Sequence, residues 1–142
     1  MQSHVSQLPR RAQQTIRGSR RILIVEDEST VAEVLSIYLT RQGFSAIQAG
    51  SGRRGLELAR LHRPHLVLLD LRLPDINGFQ VCQGLEDDLV TRNIPVIMLS
   101  GMQRPDIIRR SRAAGCHFYV RKPYDPNALL ILIQQAIGEG AD

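Results

Sequence analysis

Two kinds of hydrophobic pattern alternate along the chain. Ile22-Leu23-Ile24-Val25, Leu66-Val67-Leu68-Leu69, Val96-Ile97-Met98-Leu99 and Phe118-Tyr119-Val120 are unbroken apolar runs. Such a run, bounded by polar residues, fits a strand buried on both faces, whereas a strand with one wet face would alternate. Phe44 to Ala49 reads as a fifth, shorter strand. Between the runs, apolar residues recur three and four apart: Val31, Val34, Leu35 and Tyr38 within 29–41, Leu56 and Ala59 within 52–62, and Phe79, Cys82 and Leu85 within 77–89. That period predicts helices with one face turned inward. Segments 105–114 and 126–137 supply two more. The punctuation agrees: Gly43 and Gly115 follow helices, Pro64 lies past the end of another, and Pro105 and Pro126 suit first turns. Five strand–helix units in strict alternation predict an α/β domain, a five-stranded parallel sheet doubly wound with helices on both faces.

The residues that end the apolar runs are polar in a particular way. Glu26 and Asp27 follow the first run, Asp70 the second, Ser100 the third, and Lys122 lies just past the last. In doubly wound sheets, ligands bind beyond the carboxyl ends of the strands. Three carboxylates crowded there repel one another unless a cation sits among them, and hard oxygen donors suit Mg²⁺. Acids at strand ends also cap the helices that follow, but capping leaves Ser100 and Lys122 unexplained. With a metal present, Asp70 is placed to attack phosphorus and form an aspartyl phosphate. Ser100 would donate its hydroxyl to one phosphoryl oxygen and Lys122 would pair with another. Such positioning and charge compensation is most of what phosphoryl transfer asks of a protein. Lys122 is the only lysine beside seventeen arginines, kept where a compact point charge would meet an anion.

Size and charge narrow the picture. A chain of 142 residues is one domain with room for a real core. No apolar stretch approaches the ~20 residues of a membrane helix, and the start lacks the apolar core of a signal peptide, so a cytoplasmic domain without membrane contact is expected. Residues 1–21 hold five arginines and no acid, which leaves thirteen basic against fourteen acidic residues in 22–142. The basicity therefore belongs to a flexible leader (1–20), followed by the folded domain (21–139) and a short tail (140–142). The leader has no aromatic residues interleaved for base stacking, so nucleic-acid binding by the domain is not expected. Cys82 and Cys116 fit no metal spacing, and in a cytosolic chain they are expected as free thiols, Cys82 as core packing.

The segments ILIVEDE, LLDLRLPDINGF, PVIMLSG and FYVRKPY, in this order, resemble the motifs of the receiver domain of two-component response regulators. Asp70 lies 43 residues after Asp27, Ser100 30 further on, and Lys122 22 beyond that, spacings that are similar to the family's. The resemblance covers about 22–138 and implies the flavodoxin-like (βα)5 receiver fold. It implies that Asp70 is the phosphoacceptor and that Asp27 binds Mg²⁺ directly, with Glu26 through water and the backbone carbonyl of Arg72 completing the site. It implies that Ser100 and Lys122 bind the phosphoryl group, that the Lys122–Pro123 bond is cis-prone, and that Tyr119 is the switch aromatic. The implied donor is a sensor histidine kinase or a histidine phosphotransfer protein. The implied output is the face of the fourth helix, fifth strand and fifth helix, where a homodimer would form. That face carries Arg104, Arg109, Arg110 and Arg112 beside the apolar run 128–133 of the last helix. A self-catalysed switch is implied, not a metabolic enzyme. A phosphatase would need a second acid where Arg72 stands, and Arg72 there is expected to shield the phosphoryl group from water.

Other readings stay beside this one: a phosphorelay intermediate, an unphosphorylated protein-binding module, and, remotely, a dinucleotide-binding domain. The last rests on Gly50-Ser51-Gly52-Arg53-Arg54-Gly55, which fits GxGxxG after a strand, with Asp70 20 residues on. Against it, these glycines follow the second strand, not the first.

Overall fold

The computed structural model describes residues 19–101 and 106–138. The expected leader, the expected tail, and Arg104 and Pro105 fall largely or wholly outside that range. Five strands form one parallel sheet: β1 (Arg21–Val25), β2 (Ser45–Ala49), β3 (Leu66–Asp70), β4 (Val96–Ser100) and β5 (Phe118–Arg121). Five helices alternate with them: α1 (Ser29–Arg41), α2 (Gly52–His62), α3 (Gly78–Asp87), α4 (Asp106–Ala113) and α5 (Pro126–Ala136). The strand order is β2-β1-β3-β4-β5. The expected fold class is the observed one, and the element ends move by a residue or two. Gly43 and Gly115 take positive φ after α1 and α4, the conformation for which a C-terminal glycine is selected.

β1, β3 and β4 are buried along nearly their whole length because helices cover both faces. α2, α3 and α4 lie on one face, where Leu58, Val81, Leu85 and Ile107 meet Leu23, Val67, Leu69 and Met98. α1 and α5 lie on the other, where Leu35, Leu39, Leu129 and Ile133 meet Ile22, Ile24, Leu68 and Ile97. Each fully buried Leu or Ile contributes about 1.5–3 kcal/mol from apolar burial, so the sheet that carries the polar strand ends is the best-anchored part of the fold.

Two sequence expectations need correction, for α1 and for the cysteines, and that for α2 needs an addition. In α1 the buried stripe is Ala32, Leu35 and Leu39, while Val31 and Val34 are exposed, Val34 at 64%. Tyr38 leans on the core, and its hydroxyl lies 3.2 Å from the Pro126 carbonyl of α5, so the neighbouring helix decides the rotation of α1. In α2, Leu58 is buried with Ala59, and Leu56 is half-buried against α3. Most plainly, Cys82 and Cys116 are not free thiols. They form a disulfide with a Cα–Cα distance of 6.0 Å. α3 and the entry to β5 pack on one side of the sheet, which brings together two residues 34 positions apart. Cys82 is also core, as expected.

α5 is less uniformly apolar in place than in sequence. Leu129 and Ile133 are buried, Leu130 and Leu132 lean on the core, and Ile131 is 56% exposed.

Candidate functional site

The parallel register assembles the site. Val25 pairs with Leu69, so Glu26 and Asp70 leave adjacent strands side by side. Asp70 pairs with Leu99 and Ser100 with Arg121, which sets Ser100 and Lys122 one step further along the same edge. β1 and β3 flank the point where the strand order reverses, the place where such sheets form a crevice. A cleft of about 500 Å³ opens there, bordered by Asp27, Asp70, Arg72, Ser100 and Lys122. Glu28, which the sequence did not single out, also borders it.

Glu26, Asp27 and Asp70 each bring an oxygen within 4.8 Å of the other two. Glu26 is buried at 7% exposure, whereas Asp27 faces solvent. The Lys122 ammonium bridges the cluster, with Nζ 3.3 Å from Glu26 Oε1 and 3.1 Å from Asp70 Oδ1. Glu26 Oε2 accepts the Glu28 N–H at 3.2 Å. Burial pushes the Asp70 carboxyl above the ordinary aspartate value, assisted by the Asp27 charge and opposed by Lys122. Burial likewise raises Glu26, against the Glu28 N–H, with Asp70 adding repulsion. Desolvation works against the charged form of Lys122, but Asp70 and Glu26 outweigh it and its pKa rises. Among the described residues, Lys122 is the cation bonded within this cluster of three carboxylates, which leaves the cluster short of positive charge. Hard oxygens around an open cleft are the donor set that fits Mg²⁺ with water completing its shell.

Ser100 is buried at 1% exposure, and its carbonyl accepts the Lys122 N–H at 2.8 Å. This bond ties the hydroxyl strand to the lysine. The Lys122–Pro123 peptide is cis, as the Lys–Pro pair suggested. Tyr119 is the remaining residue of the expected site. It is half-buried on β5, opposite Met98, against the α2–α3–α4 side of the core.

The glycine-rich segment has a different role from the one its spacing suggested. A Cβ on Gly52 would lie 2.5 Å from Ile76 Cγ1, and one on Gly55 would lie 2.9 Å from Val25 Cγ2. These glycines let α2 press against β1 and the β3–α3 loop. The N–H groups that would cradle a pyrophosphate are taken: Asp75 Oδ1 accepts Gly52 N at 2.8 Å and Oδ2 accepts Arg53 N at 2.9 Å. Ser51 Oγ accepts Arg54 N at 3.2 Å. The dinucleotide reading is set aside on this ground. Asp75 drew no notice in the sequence, because the α2 partners of its carboxylate lie 22 and 23 residues away and no local spacing announces them.

Comparison with known proteins agrees with this geometry. The family described as response regulator receiver domain matches residues 22–134. The chain is 31% identical to the polar-differentiation response regulator DivK of Brucella ovis over 121 residues, 85% of this chain and 98% of that protein. It is 32% identical to DivK of Brucella anthropi over 118 residues, 83% and 96% of the two chains. Among solved structures, a putative response regulator of Chloroflexus aurantiacus superposes with TM-score 0.80 at 28% identity, covering 84% of this chain and 98% of that one. The receiver domain of a sensor histidine kinase from Pseudomonas aeruginosa, crystallised with a magnesium ion coordinated in its active site cleft, superposes with TM-score 0.79 at 25% identity, covering 85% and 99%.

Proposed function

The chain belongs to the response regulator receiver family, and from that premise we propose that Asp70 accepts a phosphoryl group from a phosphohistidine and that this charge resets the surface of α4, β5 and α5. The observation that carries the reading is the cluster of Glu26, Asp27 and Asp70 bridged by Lys122 at the edge where β1, β3, β4 and β5 end. An Asp70 carboxylate oxygen attacks phosphorus, the new P–O bond forms as the P–N bond to histidine breaks, and the imidazole leaves. Mg²⁺, when bound, neutralises charge on the transferring oxygens. Asp27, Asp70 and the Arg72 backbone carbonyl would hold it, with Glu26 acting through water.

The remaining steps belong to the chain. Lys122 now divides its charge between Glu26 and Asp70, and a phosphoryl group on Asp70 offers it a denser anion. Ser100 turns its hydroxyl to a second phosphoryl oxygen and Tyr119 moves inward behind it. Ser100 and Lys122 are joined through the backbone, so both respond together. Acceptance and slow hydrolysis are the chain's own chemistry. Its role is that of a signalling switch, and its partner is a sensor histidine kinase or a histidine phosphotransfer protein. Val34 and the half-exposed Ile37 of α1, a helix that begins beside the cleft residue Glu28, offer the apolar contact a docking helix would need. On the output face, Ile108, Arg109, Arg112 and Ile131 are exposed, and this is where a second copy would bind. Arg110 is held against the Phe79 ring at 4.4 Å and belongs less to that surface. No helix among the described residues is long and apolar enough to cross a membrane.

The test is intact mass after incubation with acetyl phosphate and Mg²⁺. The expected result is one added phosphoryl group, which does not form when Mg²⁺ is chelated before the donor is added and is absent in Asp70→Asn. Addition to Asp70→Asn at the wild-type level would refute the assignment.

A further inference from the structure

The Asp75 carboxylate accepts three backbone hydrogen bonds, and Arg53 Nε lies 3.9 Å from Oδ2. Oδ1 accepts Gly52 N and Ile76 N, both at 2.8 Å, and Oδ2 accepts Arg53 N at 2.9 Å. Two of these donors are the first N–H groups of α2, which have no partner inside the helix. The third closes the aspartate's own loop. Asp75 therefore joins the β3–α3 loop to a helix that follows a different strand. The junction is tight on both sides, since Gly52 has no room for a Cβ against Ile76 and Gly55 none against Val25, the residue before Glu26. The same loop is closed at its base by the Gly78 N–H on the Leu71 carbonyl at 2.8 Å. Its far end is fixed by the reciprocal bonds of Asn77 and Gln80 at the start of α3. Between these fastenings lie Arg72, Leu73 and Pro74, all bordering the cleft.

We infer that Asp75 is a positioning residue for the metal site: by latching the β3–α3 loop to the N-terminus of α2, it holds the Arg72 carbonyl at the distance from Asp27 and Asp70 that a divalent cation needs. The inference rests on the proposed Mg²⁺ site and extends it to a residue that does not touch the ion. A backbone ligand has no side chain to adjust, so its placement depends wholly on what holds its loop. Asp75 is the hydrogen-bonded part of that hold reaching outside the loop to a rigid element, beside the packing of Ile76 on Gly52. Residues that orient a metal's ligands commonly cost tenfold or more in affinity when removed.

Ser51 supplies the control. It caps the same helix by accepting the Arg54 N–H at 3.2 Å, a bond that stays within the start of α2 and does not reach the β3–α3 loop. Mg²⁺ binding to the full chain is measured by calorimetric titration in wild type, Asp75→Ala, Asp75→Asn and Ser51→Ala, with a thermal melt of each. Asp75→Ala is expected to weaken Mg²⁺ binding about 10-fold, with partial recovery in Asp75→Asn, which keeps one acceptor oxygen. Ser51→Ala is expected to lower the melting temperature while leaving Mg²⁺ affinity within about twofold. Equal losses of affinity in Ser51→Ala and Asp75→Ala would reduce Asp75 to a helix cap and overturn the inference. Wild-type affinity in Asp75→Ala would overturn it outright. A wild-type chain that takes up no Mg²⁺ overturns the reading of the site and this inference with it, an outcome distinct because wild type itself fails.

Discussion

Two helices begin at the carboxyl edge of the sheet with carboxylates at their N-termini, and they use them in opposite ways. At the start of α2, Asp75 commits both oxygens to backbone N–H groups, and these bonds bring its pKa down to about 2. At the start of α1, the N-cap residue Glu28 makes no side-chain capping bond. There Glu26 gives one oxygen to the Glu28 N–H and the other to Lys122, and Asp27 faces solvent. Glu26 and Asp70 are displaced upward, since burial removes water that the available donors do not replace. A carboxylate near a helix N-terminus is thus not yet a binding group. It becomes one when local N–H groups leave its oxygens wanting a cation, and it becomes a structural latch when they do not.

The sharpest way to break this contrast is to remove an acid from each helix start. Asp27→Ala is expected to weaken Mg²⁺ binding by well over about 10-fold with little loss of thermal stability. If it lowers stability while sparing Mg²⁺, the two helix starts are not used differently. A smaller effect is expected from Arg72, on the loop between the two sites. Arg72→Ala should speed loss of the phosphoryl group several-fold, followed as the decay of phosphorylated mass after the donor is removed. An unchanged rate would mean the side chain does not shield the group.

The smallest effect tests the electrostatics. Glu26 and Asp70 have folded pKa values raised by burial, so the folded protein holds their protons more tightly than the unfolded chain does. The stability this contributes is present below the ordinary carboxylate range and is lost as pH rises through the raised values. Asp70→Asn in metal-free buffer should therefore be more stable than wild type at neutral pH by about 1 kcal/mol, some 2–4 °C in melting temperature. The difference should shrink as pH falls toward about 4. Asp75 has the opposite sign: its contribution is full above the ordinary aspartate value and lost as pH falls through about 2. Chemical denaturation across this range reads both. A gap between wild type and Asp70→Asn that widens as pH falls would contradict the assignment.

Much of the site was legible because its parts are strand ends. An unbroken apolar run marks a buried parallel strand, and the residue after it falls on the carboxyl edge whatever the loop lengths. Glu26, Asp27, Asp70, Ser100 and Lys122 could therefore be placed together before any coordinates, and the structure brings them together around one cleft. The glycines at 52 and 55 were legible as a motif but not as a role, because the same spacing serves a phosphate or a close helix contact.

The sequence by itself determined the order of elements, the double winding of the sheet and the edge where the chemistry sits. These follow from unbroken apolar runs, from helical spacings of three and four residues and from backbone hydrogen bonding, all of them local. The tertiary structure alone decided which stripe of α1 is buried, that Cys82 meets Cys116, and that Asp75 closes over α2. Each depends on the approach of segments some 20 to 90 residues apart, and that approach is set by how the helices pack across the sheet, a property of the assembled core that no short window of sequence contains.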